Sequence, residues 1–126
     1  MPIKCCKDLE VYNRSFQVAM VIFEKTKIFP AEEKYSLVSQ ILRSSRSVSA
    51  NIREGYAKRK YPDVFVRHLN DALGSSEETQ TWLDYCESCR YLDQLTCKRL
   101  IKEYEEISAM LFVLMKSWQK FEKSNV

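Results

Sequence analysis

Apolar residues recur along this chain at spacings of three and four, the repeat that lines one face of an α-helix. Leu9, Tyr12, Phe16, Ala19 and Phe23 form the first such row, widened by Val11, Val18, Met20 and Ile22. Val38, Ile41, Ser45, Val48 and Ile52 form a second, with Leu37 and Leu42 beside them. Phe65, Leu69, Ala72, Ser76, Thr79, Leu83 and Cys86 make a third. The fourth, Leu100, Tyr104, Ile107, Leu111, Leu114, Trp118 and Phe121, is the cleanest. These rows predict four helices, over roughly 8–27, 31–58, 62–89 and 93–122, folded as a single all-α domain, an antiparallel up-down four-helix bundle.

The breaks between the rows carry their own signals. Phe29-Pro30 and Tyr61-Pro62 interrupt the pattern, because proline disfavours a helical residue before it while fitting the first turn of the helix that follows. Glu32, Glu33 and Asp63 then sit where the positive end of a helix dipole favours carboxylates, and Asp8 and Asp93 are the expected caps of helices 1 and 4. Small residues fill the middle of helix 2 (Ser44, Ser45, Ser47, Ser49, Ala50) and of helix 3 (Ala72, Gly74, Ser75, Ser76). They predict a close approach of those two helices, with the hairpin reversing near Lys58 to Tyr61. Gly55 reads either as a late helical residue at a close contact or as the start of a termination signal. From Ala109 to Met115 helix 4 is apolar on all sides, and a monomer would expose that belt, so Phe112 and Met115 are candidate oligomer-interface residues. Fraying is expected from Lys123 onward.

Composition narrows the class. Two glycines and three prolines in 126 residues leave too little turn material for a many-stranded β protein. With no apolar leader at the N-terminus and no apolar run near the ~20 residues that span a bilayer, a cytoplasmic protein without a membrane segment is expected. Cys5, Cys6, Cys86, Cys89 and Cys97 read as reduced thiols. Cys86-x-x-Cys89 has neither a second pair nor a nearby histidine, so no metal or other cofactor is expected.

Charge is segregated. Arg43, Arg46, Arg53, Lys58, Arg59, Lys60 and Arg67 face only two acids in their stretch, Glu54 and Asp63, whereas Asp71 to Glu87 contains five acids and no lysine or arginine. One reading pairs these charges across the hairpin or between subunits, or leaves them solvated. The other makes the seven basic residues a nucleic-acid-binding surface, RNA or DNA, centred on Lys58-Arg59-Lys60 between Tyr56 and Tyr61. Asn51 and Glu54 share a helical face, and with Gly55 they are read as specifying the fold through polar partners, or else as lining a polar pocket. Catalysis is not indicated. His68 is the sole histidine, no phosphate-cradling loop occurs, and the neighbouring pairs Glu77-Glu78 and Glu105-Glu106 diverge around their helices.

Several stretches carry a resemblance: Asp8-Leu9-Glu10-Val11-Tyr12, Phe29-Pro30-Ala31-Glu32-Glu33-Lys34-Tyr35, Ser39-Gln40-Ile41, Ala50-Asn51-Ile52-Arg53-Glu54-Gly55-Tyr56 and Ala72-Leu73-Gly74-Ser75. Together they resemble the bacterial four-helix-bundle proteins of the 23S rRNA intervening-sequence family. The resemblance implies an antiparallel bundle assembled as a homopentameric ring, and a fold similar to that of nucleic-acid-binding accessory proteins of diversity-generating retroelements. It implies no assigned activity. Where the family often has proline and glycine, this chain has Ser49 and Ala57, which puts a kink in helix 2 in doubt. Two functions follow as expectations: an oligomer that binds nucleic acid, or a scaffold that binds a protein partner.

Overall fold

The structure, a computed structural model, describes residues 3–124, with side chains described through Lys120. After a 3₁₀ turn at Cys6–Asp8 come α1 (Glu10–Thr26), a second 3₁₀ turn (Ala31–Glu33), α2 (Leu37–Ala57), α3 (Pro62–Ser88) and α4 (Gln94–Ser124). No strand occurs among the described residues, and none of their helices is long and apolar enough to cross a membrane. Contacts between chain neighbours run in opposite order along each pair. Tyr12 meets Arg53 while Phe23 meets Arg46, and Ser44 meets Thr79 while Gly55 meets His68. Ser76 meets Ser108 while Phe65 meets Trp118, and α1 closes the square against α4 through Arg14 and Glu103. The result is an antiparallel up-down four-helix bundle.

The rows on α3 and α2 bury much as their spacing implies. All seven positions of the α3 row are buried, and on α2 Ile41, Ser45, Val48 and Ile52 are buried while Val38 is half-buried. Leu100, Tyr104, Ile107 and Leu111 are buried on α4, after which Leu114 and Trp118 become half-buried; the Phe121 side chain lies outside those described. Helix 1 differs. Its buried face is Val11, Tyr12, Ser15, Val18, Ala19, Ile22 and Thr26, so Phe16 is turned outward and is 51% exposed. Two apolar rows compete on this helix, and the one containing the β-branched residues packs inward because Ser15 and Thr26 can return their hydroxyl protons to the carbonyls of Tyr12 and Phe23.

The turn chemistry departs from expectation in two places. Asp8 does not cap α1: its carboxylate accepts from the backbone N–H groups of Lys4 and Cys5, 2.8 and 3.2 Å away, which closes the first 3₁₀ turn and lowers its pKa. Helix α2 begins at Leu37 and not in the turn after Pro30. Glu33 accepts from the Ser36 hydroxyl at 2.6 Å and the Tyr91 hydroxyl at 2.7 Å, tying this connection to the one between α3 and α4. That connection closes with the paired hydrogen bonds of a Schellman turn, Tyr91 N–H to Cys86 O and Arg90 N–H to Glu87 O, with Arg90 at φ 63° where glycine is usual. Asp93 caps α4 as its position implied, accepting from Thr96 N–H at 2.7 Å.

Gly55 lies inside α2, which continues to Ala57, so it is a close-contact residue and not a stop. A Cβ there would come 2.5 Å from His68 Cβ and 3.0 Å from Phe65 Cδ1. Gly74 is different: a Cβ would meet nothing within 4 Å, so it takes no part in the approach of α2 and α3.

Two outcomes follow. Gly55→Ala gains helix propensity but forces α2 and α3 apart, and a net loss of about 1–3 kcal/mol is expected in chemical denaturation. Asp93 has a folded pKa below its ordinary value because Thr96 donates to the carboxylate. Its stabilisation is therefore present above the ordinary carboxylate range and lost as pH falls through the folded pKa. Asp93→Ala should lower the melting temperature at neutral pH, with the difference from wild type shrinking toward acid.

Candidate nucleic-acid interface

The structure separates the seven basic residues into distinct places. Lys58, Arg59 and Lys60 follow one another at the α2–α3 hairpin. Arg43 borders a polar cleft of about 330 Å³ between α2 and α3, together with Gln40, Ser44, Ser47, Ser75 and Glu78. Arg46 and Arg53 lie on the opposite edge of α2, against α1, stacked 5.6 Å over Phe23 and 6.0 Å over Tyr12. Arg67 is exposed on α3, 3.9 Å from Asp63. Among the described residues, no arginine or lysine of α2 forms a salt bridge with the acids of α3, although Arg43 and Glu78 border the same cleft.

At the hairpin, backbone bonds from Lys58 N–H to Gly55 O and from Tyr61 N–H to Lys58 O tighten the chain out of α2 and into α3. Arg59 folds back over its own helix, its guanidinium 4.0 Å from the Tyr56 ring and donating to Tyr56 O at 3.0 Å. That contact satisfies a carbonyl at the negative end of the helix dipole and fixes the direction of the side chain. Lys60 lies 5.9 Å over the ring of Tyr61, a residue 59% exposed. The last turns of α4 arrive here too. Ala57, Arg59, Lys60 and Trp118 surround a cleft of about 420 Å³, and Trp118 rests edge-on against Phe65 at 4.9 Å. The hairpin sequence gives no sign of Trp118, because that residue lies 58 positions beyond Lys60 and joins the hairpin only when the bundle closes.

Asn51, Glu54 and Gly55 belong to a hydrogen-bonded line along the α2–α3 seam. Ser75 donates to Ser47 Oγ at 3.0 Å, and the Asn51 amide donates to both Ser47 O and Ser47 Oγ at 3.0 Å. His68 places Nδ1 3.2 Å from Asn51 Oδ1 and Nε2 3.2 Å from Glu54. Glu54 in turn holds Lys58 at 3.3 Å, so one of the three hairpin cations is already paired. His68 is thus a half-buried seam residue packed over Gly55. On α4, Phe112 is 53% exposed, whereas Met115 turns in against the core and Val113 takes its place at the surface.

The sequence matches the family described as 23S rRNA-intervening sequence protein over residues 7–113. The chain belongs to that family. It is also similar to a crystallised Bacteroides thetaiotaomicron protein described as having unknown function and as coming from the S23 ribosomal protein family. The TM-score is 0.76 at 30% identity, over 84% of this chain and 98% of that one. No curated protein matches the chain.

In this member of the 23S rRNA-intervening sequence family the five thiols divide into a buried and an exposed set. No three His, Cys, Asp or Glu among the described residues come together in a way that could hold a metal. Cys6, Cys86 and Cys97 are buried while Cys5 and Cys89 are exposed. Burial pushes the Cys86 thiol up to about 12 and Cys97 to about 11, which leaves both protonated and unreactive near neutrality. A disulfide-exchange reagent at pH 8 should therefore titrate two thiols rapidly in the native protein and all five after denaturation. Rapid reaction of Cys86 or Cys97 would contradict this arrangement.

Proposed function

We propose that this protein is a non-catalytic, oligomeric helical bundle of the cytoplasm that binds single-stranded nucleic acid at the α2–α3 hairpin. The cleft formed by Arg59, Lys60, Ala57 and Trp118 carries this reading. It offers a cationic wall for a phosphate and an indole beside it for a base, the pairing of charge and aromatic surface used in sequence-tolerant binding. Exposed Tyr61 extends the aromatic surface. The oligomer is supported by the apolar surface at Phe112 and Val113, and the pentameric form by the family resemblance. In such a ring the cleft would recur around the axis and its field would sum. Of the seven basic residues, Lys58, Arg59 and Lys60 are assigned the main part. Arg67 and Arg43 are secondary phosphate contacts, because Asp63 and Glu78 lie beside them.

A second reading has one observation in its favour: two of the three hairpin cations are already engaged, Lys58 by Glu54 and Arg59 by Tyr56. On that reading the bundle is a scaffold for a protein partner. Fluorescence anisotropy with labelled single-stranded RNA and DNA at several salt concentrations separates the two. The nucleic-acid reading expects affinity that falls steeply with salt, and a shallower slope for the Lys58→Ala/Arg59→Ala/Lys60→Ala variant, together with a loss of affinity in Trp118→Ala. No binding at low salt, with nuclease-insensitive co-purification of one discrete protein, would favour the scaffold.

A further inference from the structure

Two surfaces of the bundle are left apolar where solvent would be expected to require polarity. One is the outer face of α1 beside α2. Phe16 and Met20 are 51% and 44% exposed there, and Arg46 and Arg53 flank them from α2, each stacked on an α1 ring. Neither arginine has a carboxylate partner among the described residues. The other is an open groove of about 510 Å³ between α1 and α4, walled by Leu9, Val11, Met110, Val113 and Leu114. At its edge Glu10, Glu103 and Glu106 gather around Arg14, three carboxylates to one guanidinium.

We infer that these two surfaces are the two halves of one contact: the Phe16–Met20 ridge of one copy of this chain fills the α1–α4 groove of the next. This assignment rests on the oligomer of the proposed function and names the faces that build it. Shape and charge agree. An apolar ridge bordered by two unpaired arginines meets an apolar groove bordered by an excess of carboxylates, with heptad spacing on the ridge side, Phe16 to Phe23 and Arg46 to Arg53, matching the run of a helix groove. The halves differ, so the contact is heterologous. They also occupy adjacent sides of the four-helix square, so each added copy is rotated relative to the last, as a ring of copies requires. Arg46 and Arg53 then act in assembly and not in nucleic-acid contact, and the hairpin cleft stays outside the contact.

Because Phe16 and Val113 are both exposed, a charge at either position leaves the core intact. Multi-angle light scattering on Phe16→Glu and on Val113→Glu, each with wild-type helicity and melting checked by circular dichroism, should show single chains where wild type is an oligomer. Mixed in equal amounts, the two should form a dimer and nothing larger, since the intact ridge of the Val113 variant fits the intact groove of the Phe16 variant while the remaining ridge and groove are both spoiled. A mixture that stays monomeric, a mixture that regains the full assembly, or a single variant that keeps the wild-type mass overturns the assignment of faces. A wild-type chain that is monomeric overturns the oligomer itself and this contact with it.

Discussion

The close approach of α2 and α3 is the constraint on which the rest depends. At Gly55 the backbone of α2 comes so near to His68 and Phe65 that a methyl group cannot be accommodated. The remainder of that seam is built from hydroxyls and small side chains: Ser44 receives Thr79, Ser47 receives Ser75, and Asn51 bridges Ser47 to His68. Serines weaken a helix in isolation, so α2 gains its stability from this contact and not from propensity. Each hydroxyl has a partner in the neighbouring helix or in its own previous turn, which meets the requirement that buried polar groups be bonded.

The same constraint shapes the candidate site. With α2 and α3 held so close, the hairpin has room for only a few residues between Ala57 and Pro62, and three of those are Lys58, Arg59 and Lys60. Their charges are crowded at one end of the bundle because the seam fixes where the helices stop. Glu54 links the two features directly, its carboxylate 3.2 Å from His68 Nε2 within the seam and 3.3 Å from Lys58 Nζ at the hairpin. Closure of the bundle then brings α4 across, and Trp118 packs on Phe65 next to the cations. On the other side of the molecule α1 is less intimately packed, which is why the apolar groove opens along α4 there.

Much of this architecture was legible in the chain before folding. Buried positions on α3 followed its row throughout, because small residues and a single apolar stripe leave one orientation that hides everything hydrophobic. Asp93 could be placed as a cap from its position alone, since capping is a local interaction. On α1 the row of Leu9, Tyr12, Phe16, Ala19 and Phe23 is widened by Val11, Val18, Met20 and Ile22, and spacing alone does not fix which edge of so broad a stripe packs inward. The edge that faces inward carries Ser15 and Thr26, whose hydroxyls can be buried because they bond back to the carbonyls of Tyr12 and Phe23. Asp8 and Glu33 do not serve the helix starts their positions implied: each lies in a 3₁₀ turn ahead of the helix, and their carboxylates accept from Lys4 and Cys5 for one and from Ser36 and Tyr91 for the other.

The sequence by itself determined the number of helices and the presence of a basic hairpin, because these depend on local periodicity, breakers and charge along a continuous stretch, and it carried the motifs by which the family is recognised. Only the tertiary structure decided that the basic residues divide between the hairpin, the polar cleft and the α1 edge. It also decided that Trp118 completes the hairpin cleft and that Phe16 and Val113 remain at the surface. Those outcomes depend on distances between segments far apart in the chain, set by how closely one pair of helices can approach, and no stretch of sequence carries that distance.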